Sequence, residues 1–273
     1  MDTLMLDLAY TQAIQFTKSH YENFPVISFF IPKKLRKHIA VVYQFARQAD
    51  DIADEGIFTK EMRLEKLSNY RRKFGFALSE RYENPFWQAL YNTIKDKHLT
   101  SQYFLNLLDA FEQDIVKNRF NDFSEILNYC SKSANPVGRI ILELFGVFDE
   151  ESIEYSDAIC TALQLTNFYQ DTKKDFDEKG RIYLPKDEML KYGVDENIFS
   201  SNETNPELKM LMKYQINRTR DYFTKGNNLF AKLPRNLKRQ IILTVKGGEA
   251  ILNKIEANEF DVLGNRPILS NID

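Results

Sequence analysis

Residues 43–54 read YQFARQADDIAD, and the interpretation of the whole chain starts from this stretch. Together with the residues before it, the stretch carries apolar side chains at helical spacing, which predicts a helix over residues 33–54. On that helix Asp50 and Asp54 lie one turn apart, and Tyr43 and Arg47 continue the same stripe. Two like charges at this spacing cost a helix about 0.2–0.5 kcal/mol, a penalty that a bound divalent cation would reverse.

A second acidic stripe lies in residues 164–175, which read QLTNFYQDTKKD. Asn167, Asp171 and Asp175 recur every four residues and share one face of a helix predicted over residues 151–178. All donors in both stripes are carboxylate or amide oxygens, which suit Mg²⁺. Alone, each stripe is more typical of a solvated acidic face. Two apolar helices that both end in such stripes instead predict an apolar pocket with a magnesium-binding mouth, where the metal would neutralise a leaving diphosphate.

The remainder of the 273-residue chain reads almost entirely at helical spacing and contains few turn-forming residues, with Gly 10 and Pro 8. We therefore expect one all-α domain over residues 1–273, with helix breaks at Gly56 and Gly180. Residues 181–185 are expected to be extended, and a polar stretch follows them as far as Pro206. Further helices are predicted over residues 5–20, 60–80, 85–97, 101–117, 122–146, 206–231 and 235–259.

Composition and missing motifs exclude several classes of protein. A formal net charge of −2 gives no field that would attract nucleic acid. Cys130 and Cys160 lack metal-binding spacing and are expected to be reduced core thiols, while His38 and His98 are expected at the surface. The first residues lack a basic signal-peptide region, and no run approaches the ~20 apolar residues of a spanning helix, so we expect a cytoplasmic protein. Without G-x-G-x-x-G, Walker or Glu-x-x-His sequences, neither a nicotinamide cofactor nor a di-iron centre is expected.

The two stripes and the segments around them resemble the squalene and phytoene synthase family over roughly residues 9 to 270. The family's first aspartate motif matches Asp50-Asp51-Ile52-Ala53-Asp54, and its second matches Gln164, Asn167, Asp171 and Asp175, followed by Gly180-Arg181-Ile182-Tyr183-Leu184-Pro185. A central helix motif matches Tyr129 with Ala134, Val137 and Gly138, and an N-terminal His-x-x-x-Phe pattern matches His20 and Phe24. The resemblance implies a single-domain isoprenoid (terpenoid) synthase helical bundle with a central apolar cavity.

Departures from the family pattern narrow the resemblance to one bacterial subgroup, the hydroxysqualene synthases of hopanoid biosynthesis. Condensing members usually read Ala-Gly-Thr-Val-Gly where this chain has Ala134-Asn135-Pro136-Val137-Gly138, and they carry arginine where this chain has Gln170. Gly248 stands where they carry a pocket tyrosine, so the space beside it could admit a water molecule. Lys173 and Lys174 either replace the charge absent at Gln170 or lie on a solvated face.

The resemblance implies Mg²⁺-dependent ionisation of presqualene diphosphate, then rearrangement and capture by water to give hydroxysqualene and diphosphate. It implies two or three Mg²⁺ ions held by Asp50, Asp54, Asn167, Asp171 and Asp175. It also implies catalytic roles for Tyr43, Arg47, Tyr129 and Gln164, and substrate contacts from His20, Phe24, Phe168, Arg181 and Tyr183. For the aromatic residues, which could stabilise cations, plain core packing is an equally good interpretation.

Other interpretations stay open at this point. The chain could instead condense two farnesyl diphosphates to presqualene diphosphate, squalene or dehydrosqualene, or it could be an inactive paralogue that acts as an assembly factor. A sister synthase could supply presqualene diphosphate. The apolar run Phe29-Phe30-Ile31, followed by Lys33, Lys34, Arg36 and Lys37, could touch an anionic membrane surface. The alternative for that segment is an apolar run that lines the pocket and lysines that are solvated.

Overall fold

Helices account for nearly all of the regular structure in the computed structural model, which describes residues 3–19 and 30–269. No strand occurs in those residues, and Phe120 and Pro185 form an isolated bridge, so the predicted all-α class is confirmed. The α-helices are α1 Thr3–Ser19, α2 Lys33–Asp54, α3 Lys60–Leu78, α4 Pro85–Lys97, α5 Ser101–Val116, α6 Phe123–Ser133, α7 Asn135–Leu144, α8 Glu150–Gln170, α9 Thr172–Lys179, α10 Lys186–Tyr192, α11 Pro206–Gly226 and α12 Arg235–Ala257, with 3₁₀ helices at Glu196–Ser200 and Asn227–Ala231.

The ends of several helices follow from capping residues. The side chains of Asn84 and Asn205 accept backbone N–H bonds at the starts of α4 and α11, where they satisfy otherwise unpaired donors. Gly56 follows α2 with φ +79°, and Gly180 ends α9 with φ +63°, a backbone conformation that glycine adopts without strain. Both glycine breaks were predicted, and the bounds of α2 and α4 are those expected from the sequence.

Two helices predicted as continuous are each divided in two. The helix predicted over 122–146 breaks at Ala134, because Pro136 lacks a backbone N–H and its ring crowds the preceding turn. The helix predicted over 151–178 breaks at Asp171, where the buried Thr172 hydroxyl donates back to the carbonyl oxygens of Phe168 and Tyr169, at 3.0 and 3.2 Å. Such bonds bend helices. The polar stretch before Pro206 also contains regular structure, namely α10 and a 3₁₀ helix.

By their contacts, the residues divide into two compact units. The first unit comprises Met1–Val116, Pro136–Ile153 and Leu233–Gln240. Its core is aromatic around Phe45 of α2, which is fully buried and whose ring centroid lies 5.1 Å from that of Phe74 and 5.3 Å from that of Phe104. Such aromatic pairs contribute about 0.5–1.5 kcal/mol beyond their buried area, so they hold α2 firmly against α3 and α5.

The second unit comprises Lys117–Asn135, Glu154–Lys232 and Ile241–Asp273. Tyr169 of α8 is buried in it, and its hydroxyl donates to Gln215 Oε1 at 3.1 Å. Gln215 Nε2 in turn donates to Glu188 at 2.6 Å, and Arg218 donates to both carboxylate oxygens of Glu188, at 2.6 and 3.0 Å. This network, which runs from the buried Tyr169 and Gln215 to the partly buried Glu188 and Arg218, fixes α8 against α10 and α11.

Candidate active site

The first acidic motif lies on the half-buried face of α2. The opposite face is buried, with Phe45 and Ala49 at 0% exposure and Ala53 at 4%. Because the core fixes that face, the helix presents a continuous stripe on its other side, as the sequence predicted. The members of this stripe are half-buried and are Tyr43, Arg47, Asp50 and Asp54.

Arg47 is held inside the motif rather than extended into solvent. Its Nε lies 2.7 Å from Asp51 Oδ1, Nη1 lies 3.5 Å from Asp50 Oδ2, and Nη2 lies 2.5 Å from Glu55 Oε1. A guanidinium among these carboxylates offsets part of their mutual repulsion. Arg47 therefore lies where it was expected, beside the carboxylates of the first motif.

Arg63 of α3 fixes the end of α2 that carries the motif. Its Nη1 donates to the carbonyl oxygens of Ala53 and Glu55, at 2.7 and 3.1 Å, and its Nη2 donates to that of Gly56 at 2.9 Å. A cation at a helix C-terminus satisfies carbonyls that have no partner within the helix and is favoured by the helix dipole. Sequence reasoning missed Arg63, since the contact joins two different helices.

The second motif crosses the break between α8 and α9. Gln164 and Asn167 are half-buried on α8, Asp171 is buried at the break, and Asp175 is half-buried on α9. Backbone bonds continue across the break, from Asp171 N to Asn167 O at 2.9 Å and from Asp175 N to Asp171 O at 2.8 Å. The motif therefore keeps its helical spacing but is divided between two helices, not carried on the single continuous helix that was predicted.

Asp171 has a partner that sequence reasoning missed. Its Oδ1 accepts from Nε of Arg266, in the segment after α12, and the two side chains form an ion pair. Beside it, Gln170 Nε2 donates to the carbonyl oxygen of Pro267 at 2.7 Å. No local pattern marks Arg266, which lies 95 positions after Asp171. Lys173, offered as a substitute for charge at position 170, pairs instead with Asp177 at 2.6 Å, and Lys174 is exposed.

Four aromatic rings form a cluster in the second unit, three of which were predicted as site residues. Phe168 and Tyr183 stack with centroids 3.8 Å apart and an interplanar angle of 6°, and the ring of Tyr129 lies 5.8 Å from each. The missed member is Phe120, whose ring stacks on that of Tyr183 at 5.5 Å. Because Phe168 and Tyr183 cover each other, those two ring faces serve packing rather than contact with a cation.

The predicted extended segment 181–185 is clamped beside these rings. Ile182 N donates to Asn118 O at 3.1 Å, and Lys186 N donates to Phe120 O at 2.9 Å. Arg181 is buried, and its backbone N–H donates to Asp175 O at 3.0 Å. Asp175 and Arg181 also line one small cavity of about 10 Å³, so the segment brings a predicted diphosphate contact to a predicted metal ligand.

The donor atoms of these residues decide whether the two motifs suit Mg²⁺. Within the described parts of the chain, no three His, Cys, Asp or Glu side chains are grouped as a metal site. Each motif nevertheless offers oxygen donors on a half-buried helix face, and Mg²⁺ is usually held by only one or two carboxylates together with substrate phosphates and water. The donor set fits Mg²⁺. The predicted contacts His20 and Phe24 lie outside the described residues.

Two expectations are corrected. A Cβ atom at Gly248 would lie 2.8 Å from Phe223 Cζ and 2.9 Å from Leu163 Cδ2, so side chains, not open space for a water, flank this glycine. His38 is buried at 4% exposure rather than at the surface, whereas His98 is exposed. In the apolar run, for which two alternatives were left open, Ile31 is buried at 5% exposure, and Phe29 lies outside the described residues.

A family model for squalene/phytoene synthase matches residues 17–273. The chain belongs to the squalene/phytoene synthase family. Members of this family are enzymes that act on prenyl diphosphate substrates and generally use a divalent metal. The family resemblance predicted from the two aspartate motifs is thereby confirmed.

Curated relatives include two bacterial proteins named hydroxysqualene synthase. The chain is 40% identical over 178 residues to the one from Zymomonas mobilis, an alignment that spans 63% of this chain and 58% of that protein. It is 32% identical over 212 residues to the one from Rhodopseudomonas palustris, spanning 78% of this chain and 71% of that protein.

Solved structures give the same family fold. Squalene synthase HpnC from Alicyclobacillus acidocaldarius superposes with a TM-score of 0.88 at 33% identity, covering 95% of this chain and 97% of the other. A dehydrosqualene synthase superposes with a TM-score of 0.87 at 19% identity, a likeness of fold alone. The predicted isoprenoid synthase fold is confirmed.

Proposed function

We propose that the protein ionises presqualene diphosphate, that the resulting cation rearranges, and that water adds to the rearranged cation, giving hydroxysqualene and diphosphate. The product is inferred from the 40% identity to a protein named hydroxysqualene synthase, together with 32% identity to a second protein of that name. The chemistry is supported by the two acidic motifs, whose half-buried carboxylates suit a metal–diphosphate substrate. The carbinyl C–O bond would break with both electrons leaving on diphosphate, and water would supply the new C–O bond and release a proton.

The residues proposed to hold two or three Mg²⁺ ions are Asp50, Asp54, Asn167, Asp171 and Asp175. When bound, the metal supplies positive charge that stabilises the departing diphosphate. Arg47 and Arg181 would add direct contacts to phosphate oxygens, since a guanidinium pairs with two oxygens at once. Arg47 is already held by Asp51 at 2.7 Å, and Arg181 is buried, so little side-chain entropy is left to lose on binding.

The apolar part of the substrate would meet the aromatic residues near the motifs. Tyr43, Tyr129 and Gln164 are the proposed catalytic residues beside Arg47, and Phe168 and Tyr183 are proposed to shape the wall, with His20 and Phe24. A wall ring whose face is covered contributes shape and exclusion of water rather than direct stabilisation of a cation. On this reasoning Tyr129, which packs edge-on to Phe120 at 72°, is a better candidate for a cation contact than the stacked Phe168.

The test is to incubate the purified protein and Mg²⁺ with presqualene diphosphate, and in parallel with farnesyl diphosphate, and to analyse extracts by mass spectrometry. The proposal expects hydroxysqualene from the first substrate and no product from the second. Presqualene diphosphate, squalene or dehydrosqualene formed from farnesyl diphosphate alone would identify a condensing synthase. Inactivity with both substrates, in a protein that folds and fails to bind Mg²⁺, would favour the assembly-factor alternative.

A sister synthase that makes presqualene diphosphate is the proposed source of the substrate, and a lipid surface is the proposed site where an apolar product leaves. No helix in the described residues is both long and apolar enough to cross a membrane. A peripheral contact would use the exposed Lys33 and Lys34 at the start of α2, with the exposed Leu4 and Leu8 of α1. Co-sedimentation with anionic vesicles, lost after charge reversal of both lysines, is the expected result; binding unchanged by charge reversal would contradict this contact.

A further inference from the structure

The segment after α12, residues 258–269, is called here the C-terminal strap. Its beginning is anchored in the second unit, with Val262 and Leu263 buried. Thr204 Oγ1 donates to Asp261 Oδ1 at 2.6 Å and accepts from Leu263 N at 3.1 Å. The strap is therefore a defined part of the structure as far as Leu263.

Beyond Leu263, side-chain contacts to α8 and α12 fix the path of the strap. Gln170 Nε2 donates to Pro267 O at 2.7 Å, and Lys254 Nζ donates to Ile268 O at 2.8 Å. Gln170 is buried at 3% exposure. If the strap moved away, the Gln170 amide would lose a hydrogen-bond partner that water cannot easily replace at a buried position. Arg266 lies directly before the residue that Gln170 holds.

Along this path, the strap places Arg266 in an ion pair with Asp171 of the second aspartate motif. Arg266 Nε lies against Asp171 Oδ1, and the side chains of Asp171 and Arg266 are 12% and 39% exposed, so water screens the pair mainly from the Arg266 side. Asp171 is also the carboxylate assigned to Mg²⁺ above. A guanidinium and a metal ion that share one carboxylate repel each other, and each neutralises part of its charge, so each weakens the binding of the other.

We propose that Gln170 is a positioning residue that holds the C-terminal strap across the second aspartate motif, so that Arg266 competes with a divalent cation for Asp171. The proposal rests on the assignment of Asp171 as a metal ligand. Metal affinity at this motif is then set partly by a residue far away in sequence, and a bound metal weakens the ion pair between Arg266 and Asp171 in turn.

The test measures Mg²⁺ binding without turnover, by isothermal titration of the full chain with Mg²⁺ and inorganic diphosphate. Arg266→Gln is expected to tighten Mg²⁺ binding by about 2- to 10-fold, the range in which a partly exposed ion pair contributes. Gln170→Met removes the amide donor at nearly constant volume and is expected to tighten binding in the same direction. Because both changes act through one contact, the double variant should bind no more tightly than Arg266→Gln alone.

Lys174→Gln is the matched control, because it removes an exposed cation close to the motif without touching the strap. Hydrogen exchange provides a second readout: Gln170→Met should speed amide exchange in residues 264–269, whereas Lys174→Gln should not. Unchanged or weakened Mg²⁺ binding in Arg266→Gln, additive effects in the double variant, or equal tightening in Lys174→Gln would overturn the proposal. If the native chain binds no Mg²⁺ at all, the metal assignment itself fails, which is a different result.

Discussion

The two aspartate motifs carry similar residues but are built in different ways. The first lies on one unbroken helix, and the cation beside it, Arg47, comes from the same helix, 2.7 Å from Asp51. The second bends at Asp171, and its cation is Arg266, from a segment 95 positions away. Asp171 is also buried, whereas Asp50 and Asp54 are half-buried. The first motif therefore depends on local sequence, and the second depends on tertiary contacts.

Because of this difference, we expect the two motifs to contribute differently to the stability of the fold but alike to the chemistry. Carboxylates crowded on a half-buried helix face repel each other, and because Arg47 offsets part of that repulsion, removing one changes stability little. A buried carboxylate with a designated partner is part of the fold, and removing it leaves a cation without its counter-charge. Both motifs are nevertheless proposed to bind the same metal–diphosphate substrate, so both should be needed for turnover.

The largest expected effect is on the rate and is shared by both motifs. Asp50→Asn, Asp54→Asn and Asp171→Asn should each lower kcat by about 10²- to 10³-fold, since each removes charge that stabilises the departing diphosphate. Steady-state kinetics with presqualene diphosphate checks this. Asp177→Asn, an exposed acid on α9, is the control and should keep nearly full activity. If the variants of one motif kept their activity, that motif would not be needed for turnover, and the two motifs would not contribute equally to catalysis.

A second difference is that α2 contains a buried histidine, whereas α8 contains none. Burial, reinforced by the positive charges of Lys97 and Lys37, lowers the pKa of His38 from 6.5 to about 4. The unfolded chain takes up this proton below pH 6.5 and the folded chain does not, so stability is lost as the pH falls from 6.5 towards 4. We expect a loss of about 1–3 kcal/mol from this group.

Denaturant melts at pH 7 and pH 4.5 test the role of His38. The native chain should lose more stability between the two pH values than His38→Gln, which keeps a polar partner for Thr93 Oγ1, 2.9 Å from His38 Nδ1. Equal losses in both proteins would show that the acid sensitivity of the chain comes from other groups.

The contrast between the motifs predicts unequal changes of stability at Asp171 and Asp50. Asp171→Asn should lower the free energy of unfolding by about 1–2 kcal/mol, because Arg266 loses its counter-charge. Asp50→Asn should change that free energy by less than about 0.5 kcal/mol, because relief of the repulsion with Asp54 is offset by loss of the 3.5 Å ion pair with Arg47. Urea titration of both variants in metal-free buffer measures the difference. Equal destabilisation by both substitutions would contradict the view that the first motif depends on local sequence and the second on tertiary contacts.

The smallest effect concerns packing against α8. Gly248→Ala places a methyl group within 3 Å of both Phe223 and Leu163 and should cost about 1 kcal/mol. Gly75, on the exposed face of α3, has no neighbouring atom within 4 Å, so Gly75→Ala should instead gain about 0.5–1 kcal/mol. A gain at both positions would show that α8 tolerates expansion at Gly248, contrary to the observed contacts.

The sequence predicted the features that depend on residues close together in the chain. The α2 stripe, the glycine breaks at Gly56 and Gly180, and the all-α class all follow from helical spacing and turn chemistry. The break at Asp171 did not, because it depends on where the Thr172 hydroxyl can bond once the side chain is buried. Arg266 and Phe120 were missed for a related reason: only the folded chain brings them to Asp171 and Tyr183.

The most direct test of the proposed chemistry is the origin of the oxygen atom in the product. Presqualene diphosphate and Mg²⁺ would be incubated with the protein in water labelled with the heavy oxygen isotope, and the alcohol would be analysed by mass spectrometry. Ionisation at the C–O bond followed by water capture predicts hydroxysqualene that carries one labelled oxygen. An unlabelled alcohol with the carbon skeleton of the substrate would mean cleavage at phosphorus, and it would contradict the account.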